Sequence, residues 1–523
     1  MKRLRWLPFA LYVLVLAPAL VARPAQTESP RPVIDAAFDD VVARYHLPGL
    51  AVGVVEDGKV TYVRTTGERI AGSGEPIDAD TLFKVASNTK SMTTALLARL
   101  VDQGKLRWDD PVTRHLPQFR MHDDWVTREM QVRDLLVHNS GLRAGAGDLM
   151  LWPEPNDFTR ADIIRGLAYL KPVYSFRSRY AYDNLLYIVA GEVAAAAGGA
   201  PYETLLRREV FQPLGMARCQ IGAWNRAEVG NVAQPHMRQG ERNVPVRADS
   251  DAIPASTMDP AGGVRCSLND MLRWMQAWLR TEPAQSPWLS RDQRRALWLP
   301  QMPMPLSDRQ RAWDDSHFSA YGYGWRLADV DGVFKVAHTG TLMGMYSAVT
   351  LLPDRNVGFV ILANGEADDA RTVLTEVLVK HFTAPAQRRT VAHYADELDR
   401  ERAALPATRR PPDTSARRPA EVASMRRWLG VYRDPWFGEV ALCASLERVR
   451  FASRKSPMLA GVVQRVGERW LVDWDDDSVD TEAWLDFAGT DGAVSLTMAK
   501  VDPEADFSYD YEDLAFKRTG ACP

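Results

Sequence analysis

The sequence predicts an α+β protein: an antiparallel sheet flanked by helices, followed by a small all-β, barrel-like domain. Three observations predict it. Strand-like runs lie near both ends of residues 32–384 with long helical patterns between them, so one sheet must join early chain to late chain. The stretch from Leu405 to Ala420, with Arg409-Arg410-Pro411-Pro412 and Arg417-Arg418-Pro419, has the composition of a linker. Beyond it come short, often alternating runs separated by glycine, aspartate or proline, which is how a barrel or sandwich reads. The expected boundaries are a large domain over 32–384, a linker over 385–420 and a small domain over 421–523.

In chain order, Gly49–Val55 and Lys59–Arg64 flank Glu56-Asp57-Gly58 and predict a hairpin. Helical patterns follow at Ser91–Gln103, Asp183–Ala196 and Leu268–Leu279. Strands are expected at Phe334–Ala337, Tyr346–Leu352 and Val357–Ala363, the last two joined by the turn Pro353-Asp354-Arg355-Asn356. In the small domain, strands are expected at Trp428–Tyr432, Glu439–Cys443, Arg448–Phe451, Trp470–Trp474, Ala483–Phe487, Val494–Met498 and Tyr511–Lys517. The acidic run Asp475-Asp476-Asp477 lacks the spaced ligands and closing glutamate of a calcium loop, so it is expected to be a solvated turn.

The N-terminus has three basic residues, Lys2, Arg3 and Arg5, then an apolar run from Trp6 to Ala22 broken by Pro8 and Pro18. This is the pattern of a secretory signal peptide over 1–22, so the body is expected to be periplasmic or secreted. Leu20 rather than a small residue stands two positions before Ala22, which leaves an uncleaved N-terminal anchor as the alternative. No later segment is apolar enough to span a bilayer. The formal net charge is −3 and no basic stripe is present, which argues against a nucleic-acid partner. Of the four cysteines, Cys443 and Cys522 sit near opposite ends of the small domain and can bridge it, for about 3–5 kcal/mol. The alternative is a pair of buried free thiols. No HExxH motif and no cysteine pair with zinc spacing occurs, so no metal or cofactor is expected.

Three motifs carry chemistry. The first is Ser87-Asn88-Thr89-Lys90, a serine and a lysine three residues apart at the head of a helix. That spacing puts both side chains on one helical face, so the amine can take the hydroxyl proton and the helix N-terminus favours the alkoxide. Alone the tetrapeptide reads as an N-cap. The second is Tyr182-Asp183-Asn184, ahead of an apolar periodic run. A phenol beside Lys90 is expected to have its pKa lowered by the cation and so to shuttle the serine proton to a leaving group, while Asn184 orients Lys90 and a substrate carbonyl. The third is His338-Thr339-Gly340-Thr341. Here Gly340 on an edge strand would admit a substrate backbone. The Thr341 and Ser87 N–H groups would form an oxyanion hole, at about 3 to 4 kcal/mol per donor.

Together, SxxK, YxN and HTG in this order resemble the class C β-lactamase and penicillin-binding-protein-like serine hydrolases. The resemblance covers most of 32–384 and extends to Leu135-Leu136-Val137-His138-Asn139-Ser140-Gly141-Leu142, Pro213-Leu214-Gly215-Met216 and Pro260-Ala261-Gly262-Gly263-Val264. It implies a β-lactamase/transpeptidase-like fold, Ser87 as the acylated nucleophile, Lys90 and Tyr182 sharing general-base and general-acid duty, and Asn184, His338, Gly340 and Thr341 binding or orienting substrate. His138 lies in a segment that looks structural in the family. Two departures matter. His338 stands where β-lactamases and transpeptidases usually carry lysine, which weakens the fixed charge that grips a substrate carboxylate and implies a peptidase or esterase with weak or no β-lactamase activity. The C-terminal domain is similar to the small lipocalin-like domain of some peptidase-like members, where it shapes the active-site entrance or serves oligomerisation.

The expected function is therefore an exported hydrolase forming a Ser87 acyl-enzyme on amide or ester bonds, first of all a peptidase on short peptides, including peptides with D-residues. A carboxylesterase is the alternative of the same chemistry. A non-catalytic binding or sensor protein is the alternative of a different class, and the intact Ser87, Lys90, Tyr182 and Asn184 set argues against it. The sequence leaves homo-oligomerisation open.

Overall fold

Gly49–Glu56 (β1) is apolar along its length because its sheet is covered on both faces. Leu50, Val52 and Val54 pack into one core, Ala51 and Val55 into the other, as the two-residue strand repeat requires. The computed structural model describes residues 30–279, 288–490 and 493–523. The apolar run Trp6–Ala22, expected to be a signal peptide, lies outside the described residues.

The expected hairpin forms, β1 turning into Lys59–Gly67 (β2). The other strands of this sheet come from late chain: Met302–Pro303 (β3), Ser319–Tyr321 (β4), Arg326–Val330 (β5), Val333–Leu342 (β6), Met345–Leu352 (β7) and Val357–Ala363 (β8). They pair in the order β2-β1-β8-β7-β6-β5-β4-β3, and every pairing is antiparallel. Early and late chain thus meet where β1 runs beside β8, with Leu50 opposite Ala363 and Glu56 opposite Val357.

Helices cover both faces. Pro30–Tyr45 (α1), Asp368–Thr383 (α5) and Val391–Ala403 (α6) bury Phe38, Val41, Val373, Leu378, Tyr394 and Leu398 on one side. On the other lie Thr89–Asp102 (α2), Leu185–Gly198 (α3) and Leu268–Leu279 (α4), close to their expected spans. The helix α6 corrects the expectation that 385–420 is linker throughout. Its period-3.6 apolar positions, Val391, Tyr394, Ala395 and Leu398, were masked by a strongly charged sequence.

The C-terminal part is a closed barrel of eight antiparallel strands: Gly430–Asp434 (β9), Gly438–Ser445 (β10), Arg448–Ser453 (β11), Ala460–Val466 (β12), Arg469–Trp474 (β13), Ala483–Ala488 (β14), Ser495–Lys500 (β15) and Ala515–Gly520 (β16). Their order is β12-β11-β10-β9-β16-β15-β14-β13, and β12 pairs with β13 to close the ring. Seven strands match expected runs, although Tyr511–Asp513 is a 3₁₀ turn and the strand there starts at Ala515. Sequence reading missed β12, whose Gly461 weakens a strand signal. The glycine is required because a Cβ would stand 2.2 Å from the Asp473 carbonyl oxygen of β13. Asp475, Asp476 and Asp477 are an exposed turn, as expected.

All four cysteines pair, as Cys219–Cys266 and Cys443–Cys522. Sequence reading proposed only the second. The barrel docks on the helical half: Phe158 meets Phe437 at 5.5 Å between ring centroids, Lys455 bridges Asp162 at 2.9 Å, and Arg247 donates to Ser478 Oγ at 2.8 Å. One continuous apolar core runs from α2 and α3 through Trp436 and Phe437 into the barrel interior at Leu442, Phe451 and Phe516. Among the described residues no single helix is long and apolar enough to cross a membrane.

Candidate active site

Ser87 sits on the 3₁₀ turn Ala86–Asn88 that leads into α2. Ala86 is held at φ +49, a left-handed conformation that costs a non-glycine residue energy and aims the turn outward. The turn is pressed against the far end of β6. A Cβ on Gly340 would lie 2.2 Å from the Val85 carbonyl oxygen and 2.4 Å from Ser347 Oγ. Gly340 therefore makes room for the nucleophile turn, which corrects the expectation that it makes room for substrate. β5 pairs with β6 only as far as Ala337, so 338–342 keeps an unpaired edge beside Ser87, and exposed Thr341 lies on that edge.

Lys90, the second residue of α2, is fully buried. Its Nζ lies 3.1 Å from Ser87 Oγ, 2.7 Å from Asn184 Oδ1 and 2.9 Å from the Ala261 carbonyl oxygen. With two N–H groups accepted by Asn184 and Ala261, a neutral amine turns its lone pair to the serine hydroxyl. Burial lowers the Lys90 pKa to about 7, with Arg326 pushing the same way and Asp148 and Asp183 opposing.

Tyr182 lies beside Ser87, and Lys90 Nζ stands 5.0 Å from the Tyr182 ring centroid. The pKa expectation for Tyr182 is corrected: burial outweighs Arg326 and Ser87 and pushes the phenol up to about 12. Tyr182 is thus a proton donor at neutral pH. Asn184 precedes α3 without capping it; Asp183 accepts from the Leu186 N–H instead, leaving the Asn184 amide free to hold Lys90. His138, expected to be structural, is buried. Its Nδ1 accepts from the Asp183 N–H at 3.0 Å and its ring lies 4.2 Å from that of Tyr182.

His338 is also corrected. It is 1% exposed, with Nδ1 donating to the Thr339 carbonyl at 2.7 Å and Nε2 accepting from the Tyr321 hydroxyl at 2.8 Å. Burial, then Arg326 and Lys90, hold its pKa well below the usual histidine range, so it is neutral, and it is buried away from the exposed edge at Thr341. The cation at this place is Arg326 of β5, whose Nη1 donates to Thr339 Oγ1 at 3.1 Å and whose guanidinium lies 6.0 Å from the Tyr182 ring. Sequence reading missed it, because strand pairing rather than motif spacing brings it there. Two further residues were missed. Asp148 Oδ2 accepts from Asn184 Nδ2 at 2.7 Å and from the hydroxyl of Ser508, a barrel residue, at 2.9 Å. No sequence signal marks either.

A chamber of 1180 Å³ adjoins the site at Gly262 and Thr341 of the sheet domain and at Asp506, Ser508 and Tyr509 of the barrel, and its wall includes none of Ser87, Lys90, Tyr182 and Arg326. Among the described residues no cluster of histidine, cysteine and carboxylate side chains could hold a metal ion. The arrangement can deprotonate Ser87, stabilise an oxyanion at Ser87 and Thr341, and return a proton from Tyr182.

A fold and site of this kind define a serine hydrolase that works through an activated serine. The model of the beta-lactamase family matches residues 34–384, and the chain belongs to that family of serine hydrolases. It is 26% identical to an unguisins hydrolase of Aspergillus campestris over 82% of this chain and 82% of that protein, a share that exceeds the matched family segment. It is 28% identical to penicillin-binding protein 4 of Amycolatopsis lactamdurans over 70% of this chain and 96% of that one. In fold it is similar to the octameric penicillin-binding protein homologue from Pyrococcus abyssi, with a TM-score of 0.58 at 17% identity, covering 93% of this chain and 99% of the other.

Proposed function

We propose that this chain is an exported serine peptidase that forms an acyl-enzyme at Ser87 on short peptides, D-residues included. The observation that carries the reading is Lys90 Nζ, 3.1 Å from Ser87 Oγ and buried so that its pKa falls to about 7. Neutral Lys90 takes the Ser87 proton as Oγ bonds to the substrate carbonyl carbon. The Ser87 and Thr341 N–H groups hold the oxyanion. When the tetrahedral species collapses, Tyr182 gives its proton to the leaving nitrogen and the C–N bond breaks; the Lys90 ammonium beside the Tyr182 ring then passes the proton it took from Ser87 to the phenolate, which restores both groups while Ser87 is acylated. Water then repeats the attack on the acyl-enzyme, releasing the acid and returning the proton to Ser87.

Peptides are preferred over simple esters for two reasons. The chamber of 1180 Å³ that adjoins the site at Thr341 has room for a peptide chain, being slightly above the roughly 300–1,000 Å³ of small-molecule sites. Arg326 supplies, beside Tyr182 and Thr339, a fixed charge for a C-terminal carboxylate, the place usually taken by the third-motif lysine. Export is supported by the leader-like N-terminus and by two disulfides, which persist in oxidising compartments.

A panel of short L- and D-peptides with free or amidated C-termini, p-nitrophenyl esters and nitrocefin tests the assignment. Cleavage of free-carboxylate peptides, with slow or no nitrocefin turnover, is expected. Ester turnover without peptide cleavage would reassign the chain as a carboxylesterase, and fast nitrocefin hydrolysis would make it a β-lactamase.

A further inference from the structure

Lys90 is oriented by Asn184, and what orients Asn184 is a buried carboxylate shared with the C-terminal barrel. Asn184 Oδ1 faces Lys90 only because its Nδ2 donates to Asp148 Oδ2 at 2.7 Å. The same oxygen accepts from Ser508 Oγ at 2.9 Å, across 360 residues of chain. Asp148 is wholly buried, and its Oδ1 has no hydrogen-bond partner among the described residues, so the carboxylate spends its bonds on one oxygen. The barrel fixes the backbone too: Asp510 accepts from the Leu149 N–H at 3.0 Å and from the Gly147 N–H. The adjoining Phe507 stands 5.7 Å from the Tyr182 ring, over Gly145, where a Cβ would meet the Phe507 carbonyl at 2.4 Å. A loop of the barrel is therefore built into the support of the catalytic amine.

We propose that Asp148 and Ser508 are positioning residues for Lys90, acting through Asn184, so that the barrel completes the catalytic machinery of the other domain. The inference rests on the Ser87 acyl-enzyme reading. If Asp148 lost its acceptor, the Asn184 amide could turn and present N–H to Lys90, displacing the amine from Ser87. The other groups facing Lys90 are Asp183, Arg326, Tyr182, Tyr187, His138 and His338. Burial pushes the Asp148 carboxyl well above the usual carboxylate range, with the hydrogen bonds from Asn184 and Ser508 opposing, so its part here is geometric, as an acceptor.

The test is the pH dependence of fluorophosphonate labelling of the full chain, wild type beside Asp148→Leu, Asp148→Asn and Ser508→Ala, each checked for fold by circular dichroism. Asp148→Leu is expected to lower the plateau labelling rate about 10²-fold, as misplacement of a catalytic group does. Asp148→Asn keeps an acceptor oxygen for Asn184 and Ser508 and should recover most of that loss. The rate, not the midpoint, carries the decision, because burial already disfavours the charged form of Asp148. Ser508→Ala should slow labelling by about tenfold. A Leu variant close to wild type in rate, or an Asn variant no faster than Leu, overturns the inference. Should Asp148→Leu fail to fold, Ser508→Ala decides: a wild-type rate overturns the inference, slower labelling supports it. A wild type that is not labelled at all sinks the acyl-enzyme reading itself, which a labelled wild type with indifferent variants does not.

Discussion

Lys90 is buried in the first turn of α2, the helix that the nucleophile turn leads into, and its chemistry follows from that burial. Only the neutral amine accepts the Ser87 proton, so peptide kcat/KM should climb with pH through about 7. Asp183, pushed up to about 6 by burial, shares that limb, which reports the coupled set. A rise centred near the ordinary lysine value of about 10.4 would show that Lys90 is not the base. Arg326→Ala should weaken transition-state binding of free-carboxylate peptides by about 1.5–3 kcal/mol and leave amidated peptides nearly unaffected, as comparison of the two kcat/KM values will show. Gly340→Ala, which forces a Cβ against the Val85 carbonyl, should slow acylation by about 10²-fold. Ser87, Lys90, Tyr182 and Asn184 were legible in the sequence because short spacings on helix starts carry them. Arg326, Asp148 and Ser508 were not, since each reaches the site by tertiary packing.

At the scale of elements, alternation and turn residues were enough to read the hairpin β1–β2, the strands β7 and β8 and most of the barrel. What failed has local causes. Gly461 breaks the pattern of β12 because β13 passes too close for any side chain. The charge of α6 hides its apolar stripe, and the Gly340 contact depends on a turn some 250 residues earlier. The Cys443–Cys522 bridge ties β10 to the chain end beyond β16, enclosing a separation of 79 residues. Its removal by Cys443→Ala with Cys522→Ala should cost about 3–5 kcal/mol, measurable by urea denaturation under oxidising conditions. A midpoint unchanged from wild type would mean that strand closure alone holds the barrel.

For the whole molecule, the apolar core that runs from α2 and α3 into the barrel interior makes the two parts one folding unit. Calorimetry of the full chain should show a single cooperative transition, and two resolved transitions would contradict that coupling. The measurement that tests the central claim most directly is intact-mass spectrometry of the purified protein, wild type and Ser87→Ala, after exposure to a fluorophosphonate and separately to a penicillin. One fluorophosphonate adduct on the wild type and none on Ser87→Ala is the expected result. A wild type without an adduct, or an adduct that survives in Ser87→Ala, would contradict a Ser87 acyl-enzyme.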